Sequence, residues 1–217
     1  MTTFNKICAI VTAGGVSNRF GSNKLLETLS NGKSVICTTI EKFLPFCDEI
    51  IIPCHSDVKE HIENVIPSFL DKIKFAQFGK TRQESVFRGL IECENNGGAD
   101  IILIHDGARP FIESDTIQQT IEKLKEHKGV CVGIYATDTI KITDNNGKII
   151  KTIDRNTVFQ AQTPQGFDFN TILNAHKKLK NESFTDDSSM LEHLGIEVYA
   201  LLGTQSNKKI TFREDLN

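Results

Sequence analysis

The chain has 217 residues, 39% of them hydrophobic and 24% charged, a balance that suits one folded domain with a full core. Its net charge of −3 argues against broad binding to nucleic acid or to an anionic membrane, so any phosphate site must be local. No apolar run reaches the roughly 20 residues that cross a bilayer, and Met1 to Lys6 has no signal-peptide pattern, which together point to a cytoplasmic protein.

Ile7-Cys8-Ala9-Ile10-Val11 reads as a buried first strand. It runs into Thr12-Ala13-Gly14-Gly15, followed by Arg19, Gly21 and Lys24. Glycines let a backbone bend sharply and approach a ligand, and inward N–H groups make an anion-binding concavity. With Arg19 and Lys24 this strand-to-helix loop suits a phosphate-rich ligand, although it is neither G-x-x-x-x-G-K-[ST] nor G-x-G-x-x-G. The alternative is a surface turn with two solvated cations.

Residues 34–46 read as a helix, 49–53 as a short buried strand, 57–66 as a helix, 73–78 as a third strand and 81–94 as a helix. Asp100 to Asp106 contains four consecutive apolar residues, the mark of a central strand covered on both faces. Ser114 is placed to cap a helix with Ile117, Ile121 and Leu124 inward, and Val130 to Ala136 is another strand. This alternation predicts a Rossmann-like, mostly parallel α/β sheet with helices on both faces. Two short strand-like runs then flank Asp144-Asn145-Asn146-Gly147, a hairpin turn signal, and predict a β-arm at about 138–158 on a single domain spanning 1–217. Too thin for its own core, the arm suggests a homodimer. Thr163-Pro164-Gln165-Gly166-Phe167 reads as a rigid link, 168–180 as a helix, Thr185 as the cap of a helix to about Leu194, Ile196 to Leu202 as a strand, and Lys208 to Phe212 as a short strand or turn. The six cysteines, without C-x-x-C, read as buried free thiols in a reducing compartment rather than as disulfides or a zinc site.

In open parallel sheets ligands bind at the carboxyl ends of the strands. Three notable segments follow predicted strands: the glycine loop, Gly79-Lys80-Thr81-Arg82-Gln83-Glu84-Ser85, and His105-Asp106-Gly107-Ala108-Arg109-Pro110. Asp106 ends an apolar strand, where a carboxylate must be paired or hold a cation. It is either a magnesium ligand beside phosphates or the partner of Arg109. Arg82 and Ser85 could simply open a helix, and the acidic pair Asp186-Asp187 could simply complement a helix dipole.

These motifs, with Asp138-Thr139-Ile140-Lys141, Ile153-Asp154-Arg155-Asn156, Thr163-Pro164-Gln165, Thr185-Asp186-Asp187 and Asn207-Lys208-Lys209-Ile210-Thr211, resemble in order those of the 2-C-methyl-D-erythritol 4-phosphate cytidylyltransferase family over nearly the whole chain. The resemblance implies a magnesium-dependent nucleotidyl transfer from CTP to a polyol phosphate in the non-mevalonate isoprenoid pathway. Arg19 and Lys24 would hold the triphosphate, and Lys209 would stabilise the α-phosphate. Thr12, Ala13, Gly79 and Ser85 would frame the cytosine, with Gly14, Gly15, Lys80 and Arg82 completing the nucleotide site. Asp106 would bind or orient magnesium. Arg109, Thr139, Arg155, Thr185 and Asp106 would serve the polyol phosphate, Thr139 and Arg155 acting across the dimer. The sequence departs from the family pattern at Asn23-Lys24-Leu25, where Pro-Lys-Gln is common, and at Lys80, where the family can carry Asp. The competing readings are a ribitol-5-phosphate cytidylyltransferase and a non-catalytic nucleotide-binding homologue.

Overall fold

A computed structural model describes residues 3–15, 20 and 23–216. A seven-stranded sheet runs in the order β3 (Ile73–Gln77), β2 (Glu49–Cys54), β1 (Ile7–Thr12), β4 (Ile101–Asp106), β8 (Phe159–Asp168), β5 (Gly129–Tyr135) and β9 (Tyr199–Leu202). The expected α/β class is correct: all pairings are parallel except those of β8, which is antiparallel to both β4 and β5. Successive residues of the central strands face opposite sides, so Ala9, Val11, Ile101 and Leu103 pack with helices α1 (Val35–Phe43), α2 (Ser56–Val65) and α4 (Ser114–Lys123). Cys8, Ile10, Ile102 and Ile104 pack on the other side with α3 (Arg82–Asn95), α5 (Phe169–Lys178) and α6 (Asp187–His193). This two-sided burial explains the unbroken apolar run in β4.

Several sequence expectations are corrected. The segment 163–167 is not a link; it is part of β8, an interior strand. Its Gln, Thr, Pro and Gly content disguises it, yet Gln162, Thr163 and Gln165 are buried. Pro164, which has no N–H to donate, falls where the β5–β8 register shifts and before the β4 pairing begins at Gln165, the kind of place a sheet tolerates proline. Ser114 does not cap α4; Glu113 occupies the cap position without a side-chain bond. Thr185 does not cap α6; Asp186 does, accepting from Ser189 N. The strand predicted from Ile196 starts at Tyr199, and residues 208–212 form no strand.

The hairpin is present as β6 (Ile140–Thr143) and β7 (Ile149–Ile153), a separate two-stranded sheet. Its turn falls where the Asn-Gly pair places it, but with Asn145 and Asn146 at the corner: Gly147 follows them, takes a positive φ of 82° and donates to Asp144 O. Ile142, Ile149 and Ile150 are exposed on it.

Candidate active site

The carboxyl ends of β1 and β4 lie side by side, with Thr12 in register with Asp106. Around them lies a cavity of about 220 Å³. Its walls include Thr12, Gly14, Gly15, Lys24, Gly79, Lys80, Arg82, Ser85, Asp106 and Lys209, all expected from the sequence, and also Leu25, Thr81, Gly107 and Ala108, motif neighbours with no expected role of their own. Arg19 lies outside the described residues.

The glycine content of the walls has a steric cause. A Cβ on Gly14 would sit 2.7 Å from Phe78 Cβ, so the first loop needs glycine to pack on the second, and one on Gly79 would sit 2.5 Å from Glu84 Cβ, so the second needs glycine to turn into α3. Ser85 then ties the Gly79 loop to α3: its hydroxyl accepts from Gly79 N and donates to Thr81 O, both at 2.9 Å. Thr81 caps α3 by accepting from Glu84 N, while Glu84 accepts from Lys80 N. Ser85 thus shapes the wall, in keeping with an anchoring role and with the absence of any nucleophile geometry.

Lys209 reaches the cavity because the irregular segment around it is pinned on both sides. Asn207, fully buried, donates to Gln162 Oε1 and Thr163 O, and its own carbonyl accepts from Arg109. Ile210, also fully buried, donates to Ala108 O, and its carbonyl accepts from Lys24 Nζ at 2.7 Å. The basic segment is therefore a built wall rather than an exposed turn.

Asp106 is the hub. Its Oδ1 accepts from Arg82 Nε at 3.1 Å and its Oδ2 from Lys209 Nζ at 2.8 Å, with Arg109 Nε 3.6 Å from Oδ2. Burial alone would raise its pKa, but Arg82, Lys209 and Arg109 outweigh burial and hold the carboxyl well below the usual carboxylate range. The ion pair with Arg109 exists, but it is one of three. Arg82 does more than open α3: its Nη1 donates at 2.7 Å to Asp187, which also contacts His176 Nε2 at 3.1 Å. Asp187 is fully buried, so it is a structural charge in this chain of contacts rather than only a helix-dipole partner. Gln165 places it, its Oε1 accepting from the backbone N–H of Asp187 and Ser188.

His105, fully buried, stands behind Asp106. Its Nε2 faces Arg109 O and its Nδ1 faces Thr163 Oγ1, both at 3.1 Å, and Thr163 Oγ1 accepts from Asp106 N. One neutral tautomer, protonated on Nε2, satisfies all three contacts. Burial pushes its pKa down to about 4.

Other expected site residues fall elsewhere. Ala13 is buried and donates to Pro53 O, behind the wall rather than on it. Arg109 faces Asp106 from outside the cavity lining. Thr139, Arg155 and Thr185 are exposed and do not line the cavity in this chain; Arg155 donates to Thr137 O at 2.6 Å. Asp187, His176, Gln165 and Asn207 were missed as site-builders. Asp187, Gln165 and Asn207 lie in motifs singled out from the sequence but without a role of their own, and nothing local signalled His176.

Magnesium takes oxygen ligands, commonly one or two carboxylates plus substrate phosphates and water. Asp106 is the single carboxylate among the described residues lining the cavity, and it has two oxygens facing cations. That donor set fits a magnesium ion held mostly by phosphates. A group of donors able to hold a metal, Cys8, Glu49 and Cys93, occurs near the opposite end of β1 and β2, and its thiols do not suit magnesium.

The sequence model of the 2-C-methyl-D-erythritol 4-phosphate cytidylyltransferase family matches residues 7–217. The chain is 40% identical to the 2-C-methyl-D-erythritol 4-phosphate cytidylyltransferase of Clostridium botulinum (strain Eklund 17B / Type B), over 97% of this chain and 96% of that one. It is 39% identical to the protein of the same name from Dictyoglomus thermophilum, over 97% and 94%. Among solved structures, 4-diphosphocytidyl-2C-methyl-D-erythritol synthase from Anaerococcus prevotii superposes with a TM-score of 0.85 at 31% identity, covering 97% of this chain and 94% of the other.

Proposed function

This chain belongs to the 2-C-methyl-D-erythritol 4-phosphate cytidylyltransferase family, and we infer from that membership that it joins CTP to 2-C-methyl-D-erythritol 4-phosphate. The products are 4-diphosphocytidyl-2-C-methyl-D-erythritol and pyrophosphate, in the non-mevalonate isoprenoid pathway. The observation that carries this reading is the meeting of Lys24, Arg82, Lys209 and Asp106 at one cavity, from four separate stretches of chain.

The polyol's phosphate oxygen attacks the α-phosphorus of CTP, a P–O bond forms, and the bond to the β-phosphate breaks to release pyrophosphate. The nucleophile is already an anion, so no side chain has to remove a proton. Charge accumulates on phosphate oxygens instead, and fixed cations placed there lower the barrier. Lys209 takes the α-phosphate, and Lys24, with Arg19, takes the rest of the triphosphate. Thr12, Gly14, Gly15, Gly79, Lys80 and Ser85 hold the nucleoside end. Asp106 keeps Lys209 and Arg82 in place before substrate arrives, so little reorganisation remains for the reaction itself. A magnesium ion at Asp106, when bound, adds further charge neutralisation on the phosphates.

The polyol phosphate needs groups that this cavity lacks. Arg109, Thr139, Arg155 and Thr185 are our assignment for them, with Thr139 and Arg155 supplied by the arm of a second copy. The exposed Ile142, Ile149 and Ile150 on a two-stranded arm without its own core support that homodimer. No described helix is long and apolar enough to cross a membrane, and we place the reaction in the cytoplasm.

The test is pyrophosphate release from CTP and magnesium with each polyol phosphate. Turnover with methylerythritol phosphate well above that with ribitol 5-phosphate is expected. The reverse preference, or no release with either, would overturn the assignment.

A further inference from the structure

We propose that Cys8, Glu49 and Cys93 form a site for a thiophilic divalent ion of the zinc class, remote from the cavity where CTP is placed. The donor atoms of all three lie within 4.8 Å of one another, as ligands of one small tetrahedral ion must.

The fold explains the convergence. Cys8 and Glu49 are direct register partners on the parallel strands β1 and β2, so their side chains stand side by side on one face. Cys93 descends onto that face from the last turn of α3, in the same apolar cluster as Cys8. Both cysteines are fully buried and Glu49 is 9% exposed, so among the described residues the three donors meet solvent at the carboxylate. Asn96 donates to Glu49 Oε1 at 3.3 Å, and Lys6 Nζ lies 3.8 Å from Oε2 and donates to Asn96 O. These two contacts orient the carboxylate as outer-shell partners orient a metal ligand.

Charge closes the argument. Two thiolates and a carboxylate carry −3; a divalent ion and the Lys6 ammonium bring +3. An ion that binds both sulfurs as thiolates displaces one proton from each thiol. Two sulfur donors and one oxygen favour zinc, cadmium or cobalt over magnesium. Cys8 precedes Thr12 by four residues of strand, roughly 13 Å, so the ion would brace the base of β1, β2 and α3 rather than touch substrate.

The experiment is a cobalt(II) titration of the full chain, purified metal-free in a non-thiol reductant. We expect one ion per chain, a thiolate-to-cobalt charge-transfer band, its displacement by zinc, and a higher thermal midpoint with zinc. Cys8→Ser and Cys93→Ser should each abolish the band, Glu49→Gln should weaken binding by at least about 100-fold, and Cys47→Ala should leave it intact. Turnover with CTP should stay near that of the parent in Cys8→Ser, and this reports that the fold survives. Should the cysteine variants not fold, Glu49→Gln alone decides. A band that persists in these variants, no band in the parent, or loss of two hydrogens to a Cys8–Cys93 disulfide with no metal uptake would each overturn the site.

Discussion

At the carboxyl end of the sheet, Asp106 meets Arg82, Arg109 and Lys209, and Arg82 goes on to Asp187 and His176. On the β6–β7 arm, Thr139 and Arg155 stand exposed, and the only bond of the Arg155 guanidinium among the described residues is to a backbone carbonyl. The first region is assembled within one chain, with its charges fixed by packing before any ligand binds. The second has side chains of the right chemistry that do not line the cavity of their own chain. We read the first as a finished nucleotide half-site and the second as a polyol half-site that a second copy completes.

The variants that break this contrast most sharply lie in the pocket. Lys24→Ala should lower turnover by about 10²–10³-fold, since one well-placed charge contributes about 3–4 kcal/mol to the barrier. Its unfolding midpoint should stay close to that of the parent. A variant that turns over normally would remove Lys24 from the triphosphate site. Asp187→Ala acts on both stability and rate. It leaves Arg82 and His176 without their shared buried partner, at about 3 kcal/mol of stability, and it frees Arg82 to pull Asp106 out of line. Denaturant unfolding and steady-state rates together check this, and a loss of stability without a loss of turnover would cut the link from Asp187 to the pocket.

His105 gives the finished region a pH dependence. Its folded pKa of about 4 lies below the unfolded value of about 6.5, so the unfolded chain binds more protons between these limits. Its contribution is complete above pH 6.5 and is lost as pH falls toward 4, roughly 3 kcal/mol in all. The depressed carboxyls Asp106 and Asp187 lose theirs only at lower pH. His105→Gln should flatten the stability slope between pH 6.5 and 4; an unchanged slope would assign it to other groups.

The smallest effect belongs to the arm. Arg155→Ala should raise the KM for methylerythritol phosphate about tenfold or more, with little change in the KM for CTP and in the unfolding midpoint. Equal changes in both KM values would argue against two separate half-sites.

Most of the sheet was legible because β1, β2 and β4 are apolar runs between polar turns, and the Asn-Gly turn announced the arm. The hidden strand β8 carries glutamines, a threonine, a proline and a glycine, a composition that spells a loop. It is a strand because those side chains satisfy neighbours: Gln165 accepts from the first two N–H groups of α6, Gln162 takes a bond from Asn207, and Thr163 bridges His105 to the Asp106 backbone. Such roles depend on partners about 20 to 60 positions away, which no local pattern reveals. The same holds for Arg82, which the sequence allowed as a helix opener and the fold aims at two carboxylates. Cys8 and Cys93 read as free thiols for the same reason: parallel pairing and the descent of α3, not spacing, bring them beside Glu49.

The division of labour between body and arm can be read directly by mixing two damaged chains. Lys209→Ala spoils the pocket and spares the arm; Arg155→Ala does the opposite. Pyrophosphate release is measured at low methylerythritol phosphate for each variant and for their equimolar mixture after subunit exchange. If arm and pocket from different copies share a site, half of the dimers carry one intact site, and the mixture recovers about a quarter of the parent activity. If the mixture shows only the average of the two variants, each chain builds its site alone and the account of the arm is wrong.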